Sequence, residues 1–170
     1  EGATSVKADA SGNVYVADSE SSILWSNLKA IGKNLTEGNS LNDFSDLDSL
    51  LSMTNYIDSI SALYLNSSGN IINTTNLLIF NAFIYSTPIA NSTNNTNFFT
   101  GILWDTSDNN ITNNGQFDTT DKEDIVFLTQ INKDKAGAYG IYDYEMRIPA
   151  RLREYRTAQT SSVIFYTEIS

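Results

Sequence analysis

The chain has no cysteine and no histidine among its 170 residues, and only two prolines. Without His it lacks the commonest general base and metal ligand, and without Cys it lacks thiol nucleophiles, thiolate metal sites and disulfides. Serine-histidine triads, zinc sites and thiol redox chemistry are therefore excluded. Positive charge is scarce too, with 10 Lys and Arg against 20 Asp and Glu for a net charge of −10. Such a chain repels phosphate backbones, so no nucleic-acid partner is expected. Long hydrophobic runs are also missing. The greasiest stretch, Leu77 to Ala90, is interrupted by Asn81, Ser86 and Pro88 and is too short and too polar to span a membrane. What remains, a hydrophobic share of 41% with 11% aromatic residues, is enough to pack the core of one domain.

Charge is replaced by small neutral polar residues. There are 20 Asn, 20 Ser and 17 Thr, while charged residues make up 18%. Amides and hydroxyls do not titrate where carboxylates protonate, near pH 4, so such a surface suits an acidic medium. An extracellular location is the simplest expectation; an ordinary acidic cytosolic domain is the alternative. Asn-x-Ser/Thr acceptor patterns occur at Asn34, Asn66, Asn73, Asn91, Asn94 and Asn110. Their number is close to what chance gives in so Asn-rich a chain, but several fall in turn-like stretches, where N-linked glycans would face solvent. The opening Glu1-Gly2-Ala3-Thr4 has no basic n-region or apolar h-region, so in a secreted protein Glu1 reads as the mature N-terminus. The same opening predicts that the chain is not of the type IV pilin and archaellin class, which polymerises through a long apolar N-terminal helix.

Most segments read as strands. Ile125 to Ile131 and Ser162 to Ile169 are rich in β-branched and aromatic residues, and Tyr139 to Ile148 alternates Tyr142, Tyr144, Met146 and Ile148 with Asp143, Glu145 and Arg147. Ala62 to Leu65, Ile71 with Leu77 to Tyr85, and Phe98 to Trp104 add further strands; Ser22 to Ile31 is ambiguous between strand and helix. One short helix is expected from Leu41, Phe44, Leu47, Leu50 and Leu51, with Ser40 or Asn42 as cap and Asp43, Asp46 and Asp48 early in it. Seven or eight strands without βα alternation predict an all-β fold, an immunoglobulin-like or pilin-like β-sandwich with Greek-key connections; a closed barrel is the alternative.

The N-terminal segment has a strict period of two. Thr4, Val6, Ala8, Ala10, Gly12, Val14 and Val16 occupy even positions, and Ser5, Lys7, Asp9, Ser11, Asn13 and Tyr15 odd ones. Thirteen alternating residues would reach roughly 40 Å at about 3.3 Å per residue, longer than the usual strand of about 5–6 residues. The even face is small and apolar. This is what strand donation to a neighbouring subunit requires, with Ala8, Ala10 and Gly12 as close-approach positions and Val6, Val14 and Val16 as plugs. Head-to-tail donation does not close on itself and builds a filament. On this reading residues 1–17 form a donor tail and residues 18–170 the body. A first strand folded in cis, turning at Ser11-Gly12-Asn13, is the alternative.

In the alternating arm Thr4 to Val16, the absence of Cys and His, the six acceptor patterns and the Asn/Ser/Thr-rich β body, the chain resembles the subunits of archaeal threads. These are surface filaments of thermoacidophilic archaea, similar in build to bacterial type I pilins. The resemblance implies a glycosylated β-sandwich whose N-terminal tail completes the next identical subunit. The disulfide of the bacterial pilins is absent.

Catalysis is not expected. Asp105-Thr106-Ser107 and Asp118-Thr119-Thr120 echo the aspartic-protease turn but lack its Gly, and a dyad needs two such loops. Asp143 and Glu145 read as a charge ladder with Arg147 rather than a glycosidase pair. Asn110, Thr112, Asn114, Gly115, Asp118 and Asp121 match a calcium-loop spacing without its terminal Asp and Glu. No metal or cofactor is expected. Residues 34–121 contain no Lys or Arg, whereas Arg147, Arg151, Arg153 and Arg156 cluster. Such asymmetry suits head-to-tail stacking, or pairing of the Arg cluster with Asp143, Glu145 and Glu154. The leading expectation is a structural, cell-surface filament subunit whose partners are identical subunits, with other cells or surfaces as further targets. A monomeric cell-surface or S-layer-associated binding domain and an archaeal virus coat protein are the alternatives.

Overall fold

The computed structural model describes residues 11–18, 22–33, 40–92, 96–108, 116–117, 123–149 and 164–169. The described chain is mostly β, with an antiparallel sheet and two helices. In chain order the elements are β1 (Gly12–Asp18), a 3-10 turn at Trp25–Asn27, β2 (Leu28–Ala30), α1 (Asn42–Leu50) and α2 (Ile60–Tyr64). Then follow β3 (Thr74–Ile79), β4 (Ala82–Asn91), β5 (Phe99–Asp105), a 3-10 turn at Thr106–Asp108 and β6 (Ile125–Gln130). The hairpin pair β7 (Lys135–Ala136) and β8 (Ile141–Tyr142) precedes β9 (Ile164–Ile169).

The main sheet runs β3-β4-β5-β6-β1-β9, and β2 pairs with β5 beyond the end of β4. Strands β1, β5 and β6 are buried along nearly their whole length, because both faces of the sheet are covered. A strand covered on both sides carries a near-continuous apolar run, as Ile125 to Leu128 and Ile102 to Trp104 do. One face packs Val16, Ile102, Trp104, Ile125 and Phe127 against Phe44, Leu47, Ile60 and Tyr64 of the helices. The other packs Tyr15, Ala17, Leu103, Val126 and Leu128 against Leu28, Leu77 and Ile79. The β3–β4 hairpin reaches that second face through an irregularity: the register slips between Thr75 and Leu77, and Ser86 adopts φ 53°.

Helix α1 spans the expected apolar repeat, with Phe44 and Leu47 fully buried. Of Ala62 to Leu65, expected as strand, Ala62 to Tyr64 instead belong to α2, and only Leu65 is extended, in an antiparallel bridge to Ile71. The cause is non-local, since Asp48 of α1 accepts the N–H groups of Ile60 and Ser61 at 2.6 and 3.1 Å, and Ser59 Oγ accepts that of Ala62 at 3.2 Å. Tyr139 to Ile148 is strand only at Ile141–Tyr142. The division expected between residues 17 and 18 cuts through a single strand, because Gly12 to Ala17 pair with the chain's own β6 and β9. The odd-position side chains Asn13, Tyr15 and Ala17 are as buried as Val14 and Val16, as a sheet with two covered faces demands. No described helix is long and apolar enough to cross a membrane.

Candidate functional site

Strand β1 is antiparallel to both of its neighbours, in continuous register from Asn13↔Gln130 to Asp18↔Ile125 on one side and from Gly12↔Ile169 to Ala17↔Ile164 on the other. Strands β6 and β9 are therefore parallel to each other, with β1 occupying a slot about 10 Å wide between them. In a meander the chain between two such strands would itself supply the strand that separates them. Here the slot is filled instead by a strand from the N-terminal end of the described chain.

Polar side chains fasten that strand. Asn13 Nδ2 donates to Glu168 Oε2 and to the Leu78 carbonyl, both at 2.9 Å, and approaches the Tyr15 hydroxyl oxygen at 3.1 Å. The Tyr15 hydroxyl in turn donates to Glu168 Oε2. Burial, then the hydrogen bond to Glu168 and its charge, push the Tyr15 phenol well above the ordinary tyrosine range. Tyr15, Trp25, Phe80 and Tyr166 pack beside this network with ring centroids 4.9–6.3 Å apart, Tyr15 and Phe80 stacked and the other pairs edge to face. At the entrance, Gly12 has φ 134°, and a Cβ there would lie 1.9 Å from the Glu168 carbonyl oxygen. Only glycine meets both requirements.

Of the residues expected to form the donor face, Gly12, Val14 and Val16 lie in β1, with Val16 in the helix-side core. Thr4, Val6, Ala8 and Ala10 lie outside the described residues. The polar residues Asn13 and Tyr15 fasten β1 by side-chain hydrogen bonds in addition to the burial of its small apolar residues. Asn13 and Tyr15 signalled this only by standing where exposed Lys or Glu would be ordinary.

Among the glycan acceptors, Asn66 and Asn73 are exposed on either side of the Leu65↔Ile71 bridge. Asn66 Oδ1 accepts the N–H groups of Ser68 and Asn70 at 2.9 and 3.0 Å, which fixes the amide with the turn that carries it. Asn91 ends β4 opposite Phe99 and is half-buried. Asn34, Asn94 and Asn110 lie outside the described residues, as does the whole calcium-like spacing from Asn110 to Asp121. No group of three acidic side chains fit for a metal occurs among the described residues.

The protease-like Asp105 is a structural anchor. Its Oδ1 accepts from the backbone and hydroxyl of Ser107 at 2.9 and 2.7 Å, and its Oδ2 from Leu24 N–H at 2.6 Å. Its oxygens are thereby occupied at the base of the second core; Asp118 lies outside the described residues. Asp143 and Glu145 do not form a ladder with Arg147; they accept the backbone N–H groups of Asp134 and Ala138. Arg151, Arg153, Glu154 and Arg156 lie outside the described residues.

The chain matches no protein-family model, no curated protein and no solved structure.

Proposed function

We propose that the chain is the structural subunit of an extracellular filament, assembled head to tail by exchange of its N-terminal strand and coated with N-linked glycans. The observation that carries this reading is the location of β1 between two parallel strands, β6 and β9. The same backbone and side-chain contacts satisfy that slot whether β1 comes from its own chain or from a neighbour, so the closed subunit and the open filament differ by an exchange. Exchange in one direction leaves each subunit both giving and receiving a strand, which propagates without end. In this reading the body is a pilin-like sandwich. The sheet β4-β5-β6-β1-β9 forms one layer, the folded-over β3–β4 hairpin supplies the second β layer, and the helices cap the outer face. The neutral polar surface and exposed Asn66 and Asn73 support an extracellular, glycan-bearing exterior.

The absence of native Cys makes the test direct. Ala17 stands opposite Ile164 across β1 and β9. A17C and I164C chains, unfolded together, refolded and oxidised, form a covalent heterodimer if β1 is exchanged between chains. Formation of an intramolecular disulfide in the A17C/I164C chain, with no heterodimer in the mixture and single particles by negative-stain microscopy, would sink the proposal.

A further inference from the structure

Strand β9 borders a cleft on the helix-side face that the filament reading does not use. It has a volume of about 340 Å³ and is lined by Tyr139, Tyr142, Tyr144, Met146, Phe165 and Glu145, with Val14 and Ile148 also contributing. Three tyrosine rings and a phenylalanine around one carboxyl group is an unusual lining for a surface that has no ligand to hold. Tyr139, Tyr142, Tyr144 and Phe165 all remain exposed, and exposed aromatic groups gathered at one place mark an interaction site more often than scattered ones do.

Glu145 is held in position with one oxygen to spare. Its Oε2 accepts the Ala138 N–H at 2.6 Å. The turn that supplies this donor is closed by Gly137 N–H to the Gly140 carbonyl at 2.6 Å. A Cβ on Gly137 would stand 2.4 Å from Glu145 Oε2 and 2.8 Å from the Tyr142 ring, so the turn is shaped around the carboxyl group. The glutamate backbone is fixed as well, its carbonyl accepting from Thr129 Oγ1 at 3.1 Å. Yet Oε1 is enclosed and has no hydrogen-bond partner. No ion pair joins Glu145 to a cation among the described residues; Arg147, two residues on, acts electrostatically on Tyr64 instead. An enclosed acceptor left unpaired is costly, so a pre-positioned one beside aromatic faces is completed by a donor brought from outside.

We infer that this cleft binds the side chain of an arginine or lysine presented by a partner protein. The aliphatic stem lies along Met146, Ile148 and Phe165, the cationic head sits against the tyrosine faces, and one of its N–H groups pairs with Glu145 Oε1 as the bordering tyrosine side chains turn to admit it. Cation–π attraction and a charge-assisted hydrogen bond act on the same group. The cleft volume of about 340 Å³ accommodates a whole basic side chain rather than a bare ion. A neutral ligand would leave the carboxylate uncompensated.

The test is an amide NMR titration of the full chain with N-acetyl-arginine methylamide and with its neutral isostere, N-acetyl-citrulline methylamide. Saturable shifts centred on Ala138, Tyr142, Glu145 and Phe165 are expected with the arginine compound, with at least tenfold weaker binding for citrulline. E145Q, which keeps an acceptor for Ala138 N–H, lowers arginine affinity at least fivefold. Y144L lowers it threefold or more while leaving Glu145 in place, and so decides the matter should E145Q fail to fold. Equal responses to arginine and citrulline, or shifts located away from the cleft, overturn the inference.

Discussion

The hydroxyl of Tyr15 donates to Glu168 Oε2 across 153 positions of sequence, joining the first described strand to the last. Asn13 shares the same oxygen and also reaches the Leu78 carbonyl, so β1 and β9 are tied at one carboxylate and β3 is joined to them through the Asn13 amide. This bond makes the closure of the sheet depend on polar geometry as well as on apolar burial. Removing the hydroxyl with Y15F leaves Glu168 one donor short while the ring still fills its place. We expect a loss of ~2 kcal/mol, the usual scale for a hydrogen bond to a charged group, and faster hydrogen exchange concentrated in β9. Unchanged exchange in β9 would show that strand pairing alone holds it.

Phenol ionisation gives a second reading of the same core. Burial raises both Tyr15 and Tyr64 far above the ordinary tyrosine value, Tyr64 being fully enclosed with its hydroxyl donating to the Thr100 carbonyl at 3.1 Å. In a spectrophotometric titration, these two phenols ionise only as the chain unfolds in alkali. Y15F and Y64F should each remove amplitude from the step that coincides with unfolding and none from the earlier one.

Gly12 sets the entry to the strand. With its φ of 134° and the Glu168 carbonyl 1.9 Å from any Cβ, Gly12→Ala forces the β1–β9 ladder apart at its end. The clash is with backbone, which no rotamer change relieves, so the expected cost exceeds ~2 kcal/mol in urea unfolding. On the proposed filament reading the same substitution also blocks strand exchange, since the exchanged contacts are identical. A variant as stable as the wild type would mean that the ladder starts at Asn13.

Much of this architecture was legible in the sequence. The β-branched and aromatic runs of β5, β6 and β9, and the apolar repeat of α1, announce themselves because period and burial coincide there. Helix α2 did not, because Ile60 to Tyr64 is too short for a period to emerge and its first N–H groups are capped by Asp48, 12 and 13 residues upstream. Tyr139 to Ile148 alternates without being a strand. There the alternation records Met146 and Ile148 resting against the core while the backbone turns around Glu145. In β1 the period was visible but its meaning was halved: the odd positions, which include Asn13 and Tyr15, face a second core that no local pattern reveals.

The cap that concealed α2 can be measured. Asp48 supplies acceptors to both Ile60 and Ser61 and is itself buried. Asp48→Ala leaves both N–H groups without that acceptor in an enclosed setting, with an expected loss of ~2 kcal/mol. Asp48→Asn retains one acceptor oxygen and should recover part of it. Circular dichroism separates local loss of the short helix from global unfolding.

Asp43 makes the chain more stable in acid. Burial, with a smaller push from the charge of Asp46, raises its carboxyl from 3.8 to about 6, against the opposing hydrogen bonds from Gly32 N–H and Ser40. Between those two values the folded chain holds a proton that the unfolded chain has released. The stability this group contributes is therefore fully present below about pH 3.8 and is lost as pH rises through about 6.

Asp43→Asn tests this, because the amide oxygen still accepts the Gly32 N–H but carries no titrating proton. Between pH 4 and 7 the wild type should lose stability relative to the variant by on the order of 2 kcal/mol. Parallel curves for the two chains in urea melts at pH 4, 5, 6 and 7 would refute the assignment.

Glycan occupancy should follow exposure along the β3–β4 side of the molecule. At Asn66 the amide is exposed and oriented by two backbone donors to its oxygen, which leaves the nitrogen available as the attachment point. Asn73 is exposed just before β3, with its carbonyl accepting from Ile89 N–H. Asn91 is paired with Phe99 at the end of β4, and Ser92, the middle residue of its acceptor triplet, is buried and hydrogen-bonded through its backbone to the Phe98 carbonyl. An enzyme that needs the triplet accessible reaches the first two in the folded chain and not the third. Peptide mapping of native material should find modification at Asn66 and Asn73 and an unmodified Asn91. Modified Asn91 beside bare Asn66 would mean that glycans are added before β4 pairs with β5, which would make occupancy a record of folding order rather than of the folded surface.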